Sequence, residues 1–190
     1  TMPAFLLTPP ALEPLSLLEA KNFLRVEHDA DDVLIASLVS AARNHVEAMA
    51  RSALIAQTWR LVLDRWPDDG RIAPRIGPLR ALSAARVFDA VGEGRELDPD
   101  MFVVDRAANV IAAPGWSLPV PGRSVAGIEL DIEAGFGEAA SDVPPRLLQA
   151  LRMLVAHWYE NRGLIAIGQT VAMMPATVNA LIASHRVLSL

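Results

Sequence analysis

Residues 128–162 read IELDIEAGFGEAASDVPPRLLQALRMLVAHWYENR, and the hydrophobic period changes partway along. Ile128, Leu130 and Ile132 alternate with Glu129, Asp131 and Glu133, the two-residue period of a strand with one buried face. From Asp142 the period becomes helical. Asp142 is placed to cap the helix, and Pro144 and Pro145 suit a first turn, where no amide donor is needed. Leu147, Leu148, Leu151, Leu154, Val155 and Trp158 cover more than one stripe, as on a helix central in a core or clamped between subunits. The helix is predicted to reach about Arg162, where Gly163 can end it.

Outward from this stretch the same two periods recur in separate blocks. Ser16 with Glu19 three residues later makes a capping-box pattern, opening a helix over about 15–27. A second helix is predicted from about Asp31 to Arg51, with Asp31 and Asp32 at its positive end. Ile35, Leu38, Ala42, Val46 and Met49 recur along it at helical spacing. Arg43 and Glu47, four apart, are expected to pair on its outer face. Residues 57–64 alternate around Trp59, Leu61 and Leu63, and further strands are expected at 82–89, 101–104 and 127–133. Pro- and Gly-rich stretches at 67–78 and 113–122 read as loops, and Gly92-Glu-Gly94 as a hairpin turn. Residues 164–174 are apolar without clear punctuation, and Pro175 opens a last helix to about Arg186. The expected class is α+β: mainly helical, with about four helices, and a small antiparallel sheet inserted in the middle third. One domain over 1–190 is expected, with helical parts at about 15–51 and 143–187 and a strand and loop insertion at about 57–137.

Composition bounds the function. Of 190 residues 52% are hydrophobic, enough for a sizeable core and for subunit contacts. With no cysteine there is neither a disulfide framework nor a thiolate metal site. No apolar run reaches the length of a membrane span. Phe5, Leu6 and Leu7, with no preceding basic residue and with Pro9 and Pro10 following, do not read as a signal peptide. The net charge of −5 argues against a protein that grips DNA along its whole surface. The charge is uneven: −3 over 1–56, −5 over 57–142 and +3 over 143–190. That pattern is either chance or a means of steering one basic end towards an acidic partner.

No catalytic constellation is legible. His28, His45, His157 and His185 lack the spacing of a helical metal site. Asp68-Asp69 and Asp98-Pro-Asp100 lie in turn-rich loops and read as solvated turn residues. Gly135-Phe-Gly137 lacks the third glycine and the helix start of a phosphate loop, and no Gly-x-Ser-x-Gly elbow occurs. Trp59, Trp66, Trp116 and Trp158 read as core or interface anchors. No cofactor, metal or catalytic residue is expected.

Several motifs, in order, resemble the phage head–tail connector (adaptor, head-completion) family, including its prophage and gene-transfer-agent versions. They are Leu15-Ser-Leu-Leu-Glu-Ala-Lys-Asn-Phe-Leu-Arg25; the Asp-rich turn leading to Ala41-Ala-Arg43, Glu47 and Arg51; and Thr58-Trp-Arg-Leu61 through Trp66-Pro67. Asp131-Ile-Glu-Ala-Gly-Phe-Gly137, Val143-Pro-Pro-Arg-Leu-Leu-Gln-Ala150, His157-Trp-Tyr-Glu-Asn-Arg162 and Pro175 through Arg186 complete the series. The resemblance implies a structural protein and no enzyme. It implies a ring of identical subunits, twelve to match the portal, that continues the DNA channel and docks a tail-completion protein. Its partners would be itself, portal, the tail-completion protein and passing double-stranded DNA without sequence-specific binding, with no membrane. Its place would be the bacterial cytoplasm during assembly and then the head–tail junction. The alternative is a small cytoplasmic oligomeric enzyme or ligand-binding protein using the central loops.

Three surfaces follow as expectations. The long helices would supply the subunit interface through Ile35, Leu38, Ala42, Arg43, Glu47, Trp158, Tyr159 and Arg162. The acidic stretch with Glu93, Glu96, Asp98 and Asp100 would face the channel or the next ring. Met173, Met174 and Arg186, in the basic final third, would contact portal.

Overall fold

The computed structural model describes residues 2–113, 118–161, 175–183 and 185. The chain forms two compact units. One is built from Ala56–Gly135 with the segment up to Ala11, the other from Leu12–Ile55 with the segment beginning at Phe136.

The second unit is helical, with α1 (Leu17–Leu24), α2 (Asp32–Ala50), α3 (Pro145–Glu160) and α4 (Ala176–Ala183). The capping box at the start of α1 forms as its residues require. The Ser16 hydroxyl accepts from the Glu19 amide at 3.2 Å, and the Glu19 carboxylate accepts from the Ser16 amide at 3.0 Å. These bonds hold the Glu19 carboxyl below its ordinary value. Both α1 and α2 end on left-handed residues, Arg25 (φ 58) and Arg51 (φ 54), where glycine is the commoner choice. Asp142 does not cap α3. It ends a 3-10 turn over Ala140–Asp142 and accepts from the Ala139 amide at 3.0 Å, and α3 begins behind Pro144 with no side-chain cap. The core joins Ile35, Val39, Ala42 and Val46 of α2 to Leu147, Leu151, Leu154 and Val155 of α3 and to Val178 and Ile182 of α4. Each large apolar side chain buried in this way contributes roughly 1.5–3 kcal/mol before entropy is counted.

The other unit is made of strands: β1 (Ala4–Thr8), β2 (Gln57–Leu63), β3 (Arg71–Ile72), β4 (Leu79–Phe88), β5 (Gly94–Leu97), β6 (Val103–Asp105), β7 (Val110–Ala112) and β8 (Ile128–Ala134). Five form an antiparallel sheet in the order β1-β2-β8-β4-β5, and three a smaller one in the order β3-β7-β6. The alternation of residues 128–134 places Ile128, Leu130 and Ile132 with Leu61, Ala85 and Val87 in a fully apolar core. The described residues are therefore α+β, with four helices and an antiparallel sheet, as the two hydrophobic periods predict. The loop expected over 67–78 contains the two-residue strand β3. The 89–93 connection is a hairpin turn, in which the Asp89 carboxylate accepts from the amides of Val91, Gly92 and Glu93.

Candidate assembly surfaces

The helical residues expected at a subunit interface divide by burial. Ile35 and Ala42 are fully enclosed in the core of their own unit, so their apolar faces are not surface. Leu38 and Trp158 are half-buried and pack against the same core, and the His45 ring meets Trp158 edge-on at 5.8 Å. Tyr159 donates its hydroxyl to Asp31 Oδ2 at 2.5 Å, tying α3 to the start of α2.

Arg43 and Glu47 do pair, at 3.0 Å, but not on an outer face. Arg43 is buried, and its Nε donates to Glu13 Oε2 at 2.8 Å. Glu47 Oε1 accepts from the Leu54 amide at 2.8 Å, and Glu13 Oε1 accepts from the Ser40 hydroxyl at 2.6 Å. Burial disfavours the charged guanidinium, but the Glu13 hydrogen bond and the charges of Glu47 and Glu13 outweigh it and raise its pKa. The reason for burial lies thirty residues upstream, in Glu13, which helical spacing cannot reveal. Among its described residues the helical unit exposes instead Leu12 ahead of α1, Leu18 and Phe23 on α1 and Val33 at the start of α2.

The polar face of the five-stranded sheet carries a second network. Glu129, Asp131 and Glu133 share one side of the central strand, β8, and flanking arginines separate their charges. Arg60 on β2 holds Asp131 with two bonds, Nε to Oδ1 at 2.7 Å and Nη2 to Oδ2 at 2.8 Å, and reaches Glu129 at 3.1 Å. From the other side, Arg86 on β4 reaches Asp131 Oδ2 at 3.1 Å and Glu96 at 2.6 Å, while Arg80 pairs with Glu133. The Arg60 hydrogen bonds depress the Asp131 carboxyl, burial opposes them, and Arg86 adds to the depression. This network was legible only as a strand's polar face, because its arginines come from strands far apart in sequence.

The acidic stretch is not a free cluster. Glu93 sits in the hairpin turn, and Glu96 is bound to Arg86. Asp98 caps the 3-10 turn Pro99–Met101 by accepting from the Asp100 amide at 3.0 Å, and Asp100 itself is exposed. Arg162, Met173, Met174 and Arg186 lie outside the described residues, as do Trp116 and Gly163. Also exposed, and not singled out by periodicity, are Phe5, Leu6 and Leu7 of β1.

Among the described residues no group of three or more His, Cys, Asp or Glu is placed to hold a metal ion. No described helix is long and apolar enough to cross a membrane.

Known proteins match this arrangement over nearly its whole length. A chain from the neck of an empty gene transfer agent (GTA) particle computed with C6 symmetry superposes with a TM-score of 0.82 at 30% identity, covering 99% of this chain and 97% of that one. A chain from the neck of the native GTA particle computed with C12 symmetry gives 0.80 at 28% identity, covering 99% and 97%. One from the virion of the native particle gives 0.80 at 27%, covering 98% and 96%. A local stretch of 86 residues, 42% of this chain, is 28% identical to DNA-directed RNA polymerase subunit beta′ of Vibrio vulnificus, strains YJ016 and CMCP6. The chain spans about 6% of the length of those curated relatives, and that fragment transfers no polymerase activity. The model of the phage gp6-like head-tail connector proteins matches residues 14–76 and 123–186, about two thirds of the sequence. Those two segments hold all four helices, β2, β3 and β8, and the Arg43 network apart from Glu13, so sequence pattern and fold agree: this chain is a structural protein, not an enzyme, and it belongs to the phage gp6-like head-tail connector family.

Proposed function

We propose that this chain is the connector subunit of a phage or gene-transfer-agent neck, forming a ring of twelve copies under the portal. The observation that carries this reading is the likeness over 99% of the chain to a protein in a neck with C12 symmetry. The ring continues the DNA channel and offers its far face to a tail-completion protein. Residues 1–190 act together as one connector. A heterologous contact repeated by rotation closes into such a ring without any catalytic centre.

Double-stranded DNA passes through the ring without sequence-specific contact. The arginines of the sheet's polar face are already paired with carboxylates, which leaves them little to offer phosphates. The hairpin and turn bearing Glu93, Glu96, Asp98 and Asp100 are the proposed channel or next-ring surface. The portal contact is assigned to the segment with Met173, Met174 and Arg186, within residues 143–190, which carry a net charge of +3.

Negative-stain electron microscopy of the purified chain, alone and with portal, tests the ring. Twelvefold rings in either condition are expected, and a chain that stays monomeric in both overturns the reading. Deleting residues 175–190 should leave the sheet unit folded and abolish joining to portal-bearing heads. Normal binding by the truncated chain would move the portal contact elsewhere.

A further inference from the structure

Val120, Val91 and Val125 are 87%, 84% and 69% exposed. They stand on two loops at one end of the five-stranded sheet: the hairpin turn 89–93 between β4 and β5, and the loop 118–127 that leads into β8. Strand register brings the loops together, because Ile128 pairs with Val87 on one side and with Leu63 on the other.

Hydrogen bonds fasten the loops to each other and to the sheet. The Gly122 amide donates to the Phe88 carbonyl at 2.9 Å, and the Phe88 amide donates to the Gly127 carbonyl at 2.9 Å. Arg123 lies over the Phe88 ring and donates to the Gly92 carbonyl at 3.2 Å. Trp66 Nε1 donates to the Pro119 carbonyl at 3.0 Å, and the Ala126 amide donates to Asp64 Oδ1 at 2.9 Å. Each valine is next in sequence to an anchored residue: Val91 to Gly92, Val120 to Pro119 and Val125 to Ala126. The carboxylates of Asp64 and Asp89 are occupied by backbone amides, while the exposed Glu93 and Arg65 add one charge of each sign near the valines.

Valines this exposed contribute little to the core of the sheet unit, and loops that present them on so firm a frame mark a contact surface. Loops held rigid before binding avoid the ordering cost of association. Passing DNA is a poor occupant. Methyl groups offer phosphates no donor, and Arg123 is already committed to Phe88 and Gly92. A neighbouring copy fits less well than a different protein. The family pattern takes in residues 14–76 and 123–186 and so omits Val91 and Val120. A contact that every copy needs in order to close a ring belongs in the shared pattern. The GTA neck chain, by contrast, matches 99% of this chain, and therefore the stretch 77–122 as well. A surface shared with neck chains but outside the family pattern suits a partner particular to that kind of particle.

We propose that the tip formed by residues 89–93 and 118–127 docks the tail-completion protein of the next ring. The partner offers an uncharged apolar recess for Val91, Val120 and Val125, with polar groups at its margin opposite Glu93 and Arg65. The assignment rests on the connector reading above and gives the hairpin to the next ring rather than to the channel.

The sequence contains no cysteine, so Val91→Cys can carry a maleimide photocrosslinker as the sole label. The labelled chain is assembled on portal-bearing heads and supplied with the purified tail-completion protein of the same particle. Illumination should join the label to that protein. A crosslink to a neighbouring copy or to packaged DNA instead, or none to the tail-completion protein, overturns the docking. Separately, Val91→Asp combined with Val120→Asp should keep the circular dichroism of the parent and its ring yield on portal. Capture of the tail-completion protein by those rings should fall about tenfold or more. Undiminished capture by normal rings overturns the docking and leaves the connector reading standing. Loss of the rings themselves places the valines between copies and overturns it too. If the parent chain forms no ring on portal, the connector reading falls and the docking with it.

Discussion

The Nε of Arg43 lies 2.8 Å from Oε2 of Glu13, thirty residues earlier in the chain, and this contact turns a helix-surface ion pair into an interior one. Arg43 is enclosed between Glu13 and Glu47, and Glu47 also fixes the amide of Leu54 beyond the end of α2. The two carboxylates tie α2 to its flanking segments: Glu13 joins the segment that leads into α1 to Ser40 and Arg43 in the middle of α2, and Glu47 anchors the segment that leaves it.

Arg43→Ala leaves the enclosed carboxylate of Glu47 and the half-buried one of Glu13 without their cation. Removing one partner of a buried ion pair costs about 3–5 kcal/mol. Urea unfolding should show a loss of that order. Arg43→Met combined with Glu13→Gln should lose less, since it keeps volume and removes one stranded charge. A loss below about 1 kcal/mol for Arg43→Ala, the range of surface pairs, would show that the network is solvent-accessible in solution.

Asp131 couples the sheet to pH. Its folded pKa lies below the ordinary 3.8 because Arg60, and then Arg86, hydrogen-bond the carboxylate. The unfolded chain therefore takes up the proton first as pH falls. The stabilisation is fully present above about pH 5 and is lost as the pH drops through the unfolded value of ~3.9 and below. Thermal unfolding at pH 7 should show Asp131→Asn less stable by about 1.5–3 kcal/mol. Between pH 5 and 3 the variant should lose stability less steeply than the parent. Parallel curves would remove Asp131 from the acid response.

Gly122 donates its amide to the Phe88 carbonyl at 2.9 Å, and Arg123 lies 4.5 Å from the centroid of the Phe88 ring, so loop 118–127 is closed onto the end of β4. A Cβ at Gly122 would overlap the backbone nitrogen of Ala90 and stand 2.6 Å from the carbonyl carbon of Asp89. Backbone cannot rotate aside as a side chain can. Gly122→Ala should cost about 1–3 kcal/mol, as overpacking does. Hydrogen exchange at the Gly122 amide should accelerate, while α2 and α3 stay unchanged. Unaltered protection at Gly122 would show that the loop tolerates the methyl group.

By itself the sequence determined what depends on near neighbours. Ser16 and Glu19 are three apart and cap α1 wherever that helix lies. Ile128–Ala134 alternates because a strand with one buried face must, and α2 and α3 follow from helical spacing of their apolar residues. The ordered set of these local motifs also carried the family resemblance, since each records a short-range constraint. What the sequence left open depends on partners distant along the chain. Phe5–Leu7 shows no alternation, and only pairing with β2, more than fifty residues away, makes it a strand. The Arg60–Asp131 contact joins residues 71 positions apart, and the order β1-β2-β8-β4-β5 decides that arginines flank β8 on both sides. Arg43 looked like a surface residue because i,i+4 spacing specifies a pair on a helix but not which way the helix faces. Tertiary structure decided that, since excluding water from the α2–α3 core rotates Ile35 and Ala42 inwards and carries Arg43 with them towards Glu13.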